Sequence, residues 1–223
     1  MRGPGCGLRD AGMAKTLLTV VALLMALAPA RAEIIDRILA TVGGALVLQT
    51  DAVAAVRLGF IEPPQGVNPL QWTLDRLIER RLMLIEVDRY GPPEPAFARV
   101  DTRMQAIDQR IGSGARLEEI LRETGTTVDQ LRLYVRDNLR IESYIQQRFG
   151  TIFQPTEDEL VAYYRDNPEE FTRDGRLLSF AEARAGARAA LLAERREAAV
   201  REWVAGLRRR IEVNVLYLPG RDG

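Results

Sequence analysis

The sequence predicts a mainly α-helical protein that carries one small sheet. Four stretches repeat apolar residues at spacings of three and four, which is the period of an amphipathic helix. Four helix starts also carry capping residues. Alternating β-prone residues stand near residue 34 and again after residue 210. We therefore expect a helical domain in which an N-terminal hairpin and a C-terminal strand form the sheet.

The hairpin is predicted from two β-prone runs, residues 34–42 and 46–48, which are joined by Gly43 and Gly44. A tight primed turn needs a positive φ at both central residues, and glycine adopts that conformation without strain. Because a lone hairpin is only marginally stable, it must pack on helices or pair with another strand. We expect that strand to be residues 211–218, which alternate and are rich in β-branched residues.

The helices are predicted from their starts and their apolar faces. Thr50 is expected to start a short helix over residues 52–58. A final helix from Phe180 to Arg209 is about 45 Å long at 1.5 Å per residue. The apolar faces of the longer helices cover residues 70–85, 97–111, 128–145 and 192–207. Helix caps are expected at Asn68 with Pro69 and Gln71, and as capping boxes at Thr127 with Gln130, Thr156 with Glu159 and Ser179 with Glu182.

Residues 1–32 have the layout of a secretory signal peptide. Lys15 precedes an apolar run of 12 residues, 17–28, and residues 30–32 fit an A-x-A cleavage site. A membrane anchor is disfavoured because a segment that spans a bilayer needs about 20 apolar residues. We therefore expect secretion and cleavage after residue 32, whichever of the two early methionines starts translation.

The composition of the remaining chain excludes several classes of function. The first 32 residues hold four basic residues and one acidic residue, so their removal leaves 27 basic and 30 acidic residues and a net charge of −3. Nucleic-acid binding depends on clustered positive charge, and we expect none. The remaining chain has no His, Cys or Lys, which excludes imidazole and thiolate metal sites and the lysine of an ATP-binding P-loop. We expect no metal and no cofactor.

Several segments resemble those of one protein family. "IIDRILATVGGALVLQTDAV", "LIERRLMLIEVDRYG" and "TTVDQLRLYVRDNLRIESYIQQRF" resemble the N-terminal domain of SurA-type periplasmic chaperones. "PTEDELVAYYRDNPEEF" resembles the segment that leads into a parvulin domain, a peptidyl-prolyl isomerase. "SFAEARAGARAALLAERREAAVREWVAGLRRRIEVNVLYL" resembles the segment that follows it. The resemblance extends from Glu33 to Leu218.

The resemblance implies an ATP-independent periplasmic chaperone, a holdase that binds unfolded outer-membrane or secreted proteins. Where the family usually carries a parvulin domain of roughly a hundred residues, this chain has only Thr172 to Leu178. Parvulin sites resemble one another in having paired histidines, and the sequence has none. We therefore expect no isomerase domain and no enzyme. The chaperone domain is expected at 33–223, built from 33–171 and a returning helix and strand at 179–218.

Six apolar residues are candidates for contact with clients. Unfolded chains expose apolar side chains, and a shallow apolar groove binds them without reading their sequence. Met and aromatic side chains adapt to varied partners. The first four candidates lie on the second long helix and the other two lie in a loop beside two prolines: Phe97, Met104, Ile107 and Ile111, then Phe60 and Ile61. For the helical set, the spacing alone favours a core stripe over a binding face.

Other functions stay open at this point. The chain could be a structural or assembly subunit with one dedicated folded partner, and it could pair as a homodimer. A hydrolase that used carboxylates alone would centre on residues 157–159, which are the densest acidic group. That group follows Thr156, however, and acidic residues in the first turn of a helix suit the helix dipole. We therefore expect no catalytic residues.

Overall fold

The computed structural model describes residues 36–150 and 154–217, so the predicted signal peptide lies outside the described residues. The described chain is mainly α-helical with a small antiparallel sheet, as the sequence predicts. The strands are β1 (Ile38–Val42), β2 (Ala45–Leu48), β3 (Thr172–Arg173), β4 (Arg176–Leu177) and β5 (Val213–Val215). The helices are α1 (Gln49–Arg57), α2 (Pro69–Tyr90), α3 (Phe97–Ile111), α4 (Gly114–Glu123), α5 (Val128–Phe149), α6 (Glu157–Asp166) and α7 (Phe180–Arg210), with a 3-10 helix at Pro168–Phe171. Among these helices, none combines the length and the apolar content that a membrane span requires.

The sheet joins the hairpin to the end of the described chain, in the order β2-β1-β5 with every pair antiparallel. The hairpin turns at Gly43 and Gly44, whose φ angles are 55° and 83°, which confirms the predicted turn. β5 is shorter than predicted, because Ile211 still closes the last turn of α7 by donating its N–H to Leu207. Pairing ends at residue 215, and the N–H groups of the next two residues both bond the carbonyl of Leu39.

Helix α1 starts differently from the prediction that Thr50 begins it. The N-cap is Leu48, whose N–H donates to the Asp51 carboxylate at 2.9 Å. The hydroxyl of Thr50 bonds Asp36 instead. The prediction was wrong because the local sequence did not show that Asp36, on the far side of the hairpin, competes for this hydroxyl.

The other predicted caps are confirmed. The Asn68 side chain accepts the N–H of Gln71 at 3.1 Å, with Pro69 as the first helical residue. The capping boxes at the starts of α5, α6 and α7 are all formed, with Thr127, Thr156 and Ser179 as N-caps. These interactions fix where each helix enters the packed core.

Two apolar cores hold the domain together. The first lies between the sheet and helices α2, α5 and α7, and it contains Leu39, Ile78 and Leu207, each fully buried. Trp203, on the apolar face predicted over residues 192–207, is buried in this core, and the centroid of its ring lies 5.5 Å from that of Tyr144 on α5. The second core lies between α1, α3, α4 and α5. Both cores therefore use α5, which becomes the central element of the domain.

A short connection fills the gap between α6 and α7. The 3-10 helix leads into the two-residue strands β3 and β4, which turn at Asp174 and Gly175 with φ angles of 52° and 74°. Phe171 packs with Ala183 and Ala187 of α7 in a small third core. The predicted start of α7 at Phe180 is confirmed, and the residues between the two helices are ordered by local packing.

Candidate functional site

Three adjoining cavities converge on Phe60, in the loop that follows α1. Their volumes are about 480, 260 and 350 Å³, and Phe60 lines all three. We call this combined surface the Phe60 groove. The loop is held in place because the N–H groups of Phe60 and Ile61 both donate to the carbonyl of Ala55, at 2.8 and 3.2 Å. The two larger volumes fall in the range that ligand sites occupy, about 300–1,000 Å³.

Aromatic rings and guanidinium groups alternate along the groove. The ring of Phe60 stacks on Tyr134 with 4.6 Å between centroids and 27° between planes. The guanidinium of Arg80 lies 3.8 Å from the centroid of Tyr134, and that of Arg76 lies 4.8 Å from Trp72. Cation–π contacts at these distances are attractive and keep the rings in fixed positions. The groove therefore presents aromatic rings that neighbouring guanidinium groups hold in position.

Arg80 joins α2 to α5 beneath the groove. Its Nε donates to Oδ1 of Asn138 at 2.7 Å, and its Nη2 donates to the carbonyl of Tyr134 at 3.3 Å. Burial lowers the pKa of the Arg80 guanidinium and raises the pKa of the Tyr134 phenol. Arginine stays charged at neutral pH even so. This side chain thus fixes the spacing of the two helices that carry Trp72 and Tyr134.

The 480 Å³ cavity, the largest of the three in the Phe60 groove, is lined by side chains of both charges. Asp36, Asp51, Arg80 and Arg81 all line it, so neither sign dominates. Burial raises the pKa of the Asp51 carboxyl, although the N–H of Leu48 opposes that rise by donating to the carboxylate. Clustered positive charge is the mark of a phosphate-binding surface, and this cavity does not have it. The arrangement suits a ligand with apolar groups and uncharged hydrogen-bonding groups.

The loop candidates lie in the groove and were identified from the sequence. Phe60 lines all three cavities and Ile61 lines the one of 350 Å³. Both are partly buried against the core, so their remaining surface is held in a fixed position. The sequence reasoning did not identify Trp72 and Tyr134. Trp72 precedes Arg76 by four residues on one helix face, which is a spacing that could have indicated it.

The α3 candidates mostly belong to the second core. Ile107 is only 3% exposed and packs against α4 and α5, and its small remaining surface lines the 260 Å³ cavity, so its contact with clients stays a prediction. Met104 and Ile111 are partly buried against the same core. Phe97, the first residue of α3, is 87% exposed and stands alone at the surface. The core-stripe interpretation of this helix therefore describes most of the Ile107 side chain.

The acidic group at 157–159 forms structural ion pairs. Glu157 pairs with Arg184 of α7, and Glu159 pairs with Arg195 while also accepting the N–H of Thr156. Arg195 and then the Thr156 N–H hold the pKa of Glu159 at about 2. A permanently ionised, paired carboxylate is a poor general acid. Within the described residues, no group of three or more potential ligands could hold a metal ion.

Comparison with known families concerns the C-terminal part of the chain. Residues 155–215 match the family model described as a PPIC-type PPIase domain. The match covers α6, the 3-10 helix, both short strands, α7 and β5. A comparison with curated proteins finds no match. The match covers about a quarter of the chain, and it shows that this segment is similar to a domain of peptidyl-prolyl isomerases, which are enzymes.

This match corrects two predictions. The expectation that the parvulin segment is missing between Thr172 and Leu178 is not borne out, and the expectation that the chain is not an enzyme is contradicted. The inference from the absent histidines was too strong. Prolyl isomerisation rotates a peptide bond over a barrier of about 18–20 kcal/mol and breaks no covalent bond, so it needs no nucleophile or base.

Tyrosines and carboxylates are what the matched segment offers for chemistry. The hydroxyl of Tyr163 donates to Glu170 at 3.1 Å. The pKa of Tyr163 is raised, mainly by burial and also by the negative charge of Glu170. The hydroxyl of Tyr164 donates to the carbonyl of Leu178 at 2.6 Å. Both rings pack near Phe171. Any isomerisation in this segment would depend on such apolar and hydroxyl groups.

Proposed function

We propose that the protein is a periplasmic folding factor that holds segments of unfolded polypeptide in the Phe60 groove. The observation that carries this proposal is the convergence of three cavities on Phe60, whose ring stacks on Tyr134, a residue that lines two of them. Stacked rings offer apolar surface to many side chains without selecting one sequence. The match to an isomerase family supports polypeptides as the substrate class.

Binding in this groove would be passive and reversible. Burial of apolar surface contributes about 25 cal/mol per Å², and part of that gain is offset by ordering the bound segment. The sequence outside the predicted signal peptide has no lysine, so a P-loop lysine for ATP is not available. The client would therefore leave the groove by dissociation when it folds or meets its next partner.

The place of action is inferred from the leader sequence. A signal peptide over residues 1–32 would export the chain, and the resemblance to SurA-type chaperones supports the periplasm as the compartment where it acts. The clients would then be outer-membrane or secreted proteins in transit. The alternative of one dedicated folded partner predicts a different behaviour, because such a partner would bind in its native state alone. A homodimer stays a prediction.

Prolyl isomerisation is the second candidate function, and the family match at 155–215 favours it. It would be compatible with client holding, because X-Pro isomerisation takes tens to hundreds of seconds in an unfolded chain. A bound segment stays unfolded and accessible during that time. The Phe60 groove and the matched segment would then serve one client in succession.

The test is light scattering of a urea-denatured porin diluted into buffer with and without the purified protein. We expect suppressed scattering at equimolar protein, and we expect no stable complex with the folded porin. A prolyl-peptide assay run in parallel measures isomerisation. Unchanged scattering together with a stoichiometric complex with one folded protein would overturn the holdase proposal and favour the dedicated-partner alternative.

A further inference from the structure

Strand β2 lies at an open edge of the sheet. The order β2-β1-β5 places β1 between two strands. The N–H and C=O of each β1 residue point toward only one of these strands, and the direction alternates along β1. Gly43 donates its N–H to Glu212, and Leu39 accepts the N–H of Leu216, each at 2.9 Å. The odd-numbered residues of β1 therefore bond β5, and the even-numbered residues bond β2.

This alternation determines which backbone groups of β2 are free. Ala45 and Val47 lie opposite the even-numbered residues of β1 and form the ladder. Leu46 lies opposite Thr41, so its N–H and C=O point away from β1. In residues 36–150 and 154–217, no protein group bonds these two backbone groups of Leu46. The N–H of Leu48, next along the edge, is already taken by Asp51.

The open edge of β2 faces the largest cavity of the Phe60 groove. Residues 46–48 line that cavity together with Phe60 and Tyr134, and the Leu46 side chain is 51% exposed. Thr126 and Gln130 also line the cavity and add polar groups to it. An extended chain lying in this cavity would therefore meet the N–H and C=O of Leu46, which no group in residues 36–150 and 154–217 bonds, along with apolar rings.

We propose that an extended client segment adds to the sheet beside β2 and bonds the N–H and C=O of Leu46. The inference rests on the proposed polypeptide-binding function and adds its mode, strand addition. The bound segment is extended because alternate residues of a strand point to opposite sides. One set of side chains would then enter the cavity toward Tyr134, and the other set would face solvent.

The chemistry of the cavity favours an unfolded chain over other occupants. Main-chain hydrogen bonds are the same for every sequence, which suits a protein that binds varied clients. A wall that carries Asp36, Asp51, Arg80 and Arg81 has no dominant sign of charge, so it tolerates client side chains of either sign. A folded partner keeps its strand edges short or covered and has no free segment to offer.

The test compares three variants of the full protein. Leu46→Pro removes the outward N–H and blocks the edge while leaving the β1–β2 ladder bonds in place. Leu46→Ala keeps that N–H and removes only the side chain. Val215→Pro is the matched control, because alternation gives Val215 an outward N–H on the other sheet edge, and β5 lines none of the three cavities. The probe is a fluorescein-labelled, unstructured 12-residue apolar peptide, whose affinity is read from anisotropy.

We expect the Kd of the Leu46→Pro variant to rise about five- to tenfold, which is the range for the loss of one main-chain hydrogen bond. The other two variants should stay within about threefold of the wild type. Equal affinity for Leu46→Pro and Leu46→Ala would overturn strand addition. No binding by the wild type would instead overturn the proposed function.

A second measurement keeps the inference testable if Leu46→Pro fails to fold, as judged by circular dichroism. The wild-type protein is titrated with peptides that carry an N-methyl group at successive backbone amides. Strand addition predicts that methylation weakens binding at alternate positions, because alternate amides face β2. A uniform effect at every position would overturn it.

Discussion

Replacing Phe60 with alanine should weaken both the domain and its hold on clients. The ring is partly buried and stacks on Tyr134 with 4.6 Å between centroids. Aromatic pairs contribute about 0.5–1.5 kcal/mol beyond their buried area. Truncation of a fully buried Phe costs about 3–5 kcal/mol, and half-burial reduces that cost. We therefore expect Phe60→Ala to lower the free energy of unfolding by about 2 kcal/mol.

Phe60→Ala should also weaken client affinity more than the same substitution at a Phe on the exposed surface. Phe60 borders all three cavities, so its loss enlarges and flattens the groove at its centre. Truncation of an aromatic residue at the centre of a binding site lowers the binding free energy by about 2 kcal/mol or more, and 2 kcal/mol corresponds to about a thirtyfold rise in Kd. Phe97→Ala is the matched control, since Phe97 is 87% exposed. It should change stability by less than about 0.5 kcal/mol and affinity by less than about threefold.

The assay pairs urea denaturation with peptide anisotropy on the two variants. Urea midpoints and slopes give the free energy of unfolding, and the anisotropy is measured where both variants are folded. A larger affinity loss for Phe97→Ala than for Phe60→Ala would refute the assignment of the groove. It would place the client on the N-terminal end of α3 instead.

Two further predictions concern the scaffold. Gly43→Ala should cost about 1 kcal/mol more than Gly44→Ala, because both residues have positive φ but only the first would place a Cβ 2.8 Å from Cδ1 of Ile85, which would have to shift; equal urea midpoints would contradict this. The pKa of Glu182 is held at about 2, below its ordinary 4.5. The hydrogen bond from Arg176 is the largest cause, and the bonds from the backbone N–H and the hydroxyl of Ser179 add to it. The contribution of Glu182 to stability is thus present above pH 4.5 and is lost as the pH falls toward 2. Glu182→Gln should flatten the fall in urea midpoint over that range, and an unchanged slope would show that this carboxylate is not involved.

The sequence predicts most of the scaffold because local chemistry determines it. The glycine pair, the caps at Asn68 and Thr127, and the apolar periodicity each specify an element without help from distant residues. The start of α1 was misplaced for the opposite reason. Thr50 bonds Asp36, which lies 14 residues away across the hairpin.

The site was only partly predictable because it is made by packing. Phe60 could be identified from its loop, since apolar residues beside prolines have no evident core role. Tyr134 and Arg80 become a site only when α2 and α5 lie side by side, 54 residues apart in sequence. The sequence left the role of Ile107 open because helical spacing does not distinguish a buried stripe from a binding face, and the structure buries most of its side chain.

The measurement that tests the central claim most directly is the fluorescence of Trp72 during client binding. The chain has two tryptophans, and Trp72 lines the 350 Å³ cavity while Trp203 lies in the core. The Trp203→Phe variant leaves Trp72 as the reporter. The substitution removes no hydrogen bond, because Nε1 of Trp203 has no hydrogen-bond partner among the described residues. Titration with an unfolded client that lacks tryptophan should shift and saturate the Trp72 emission. Suppressed aggregation with no change in that emission would show that clients bind elsewhere and would contradict the groove assignment.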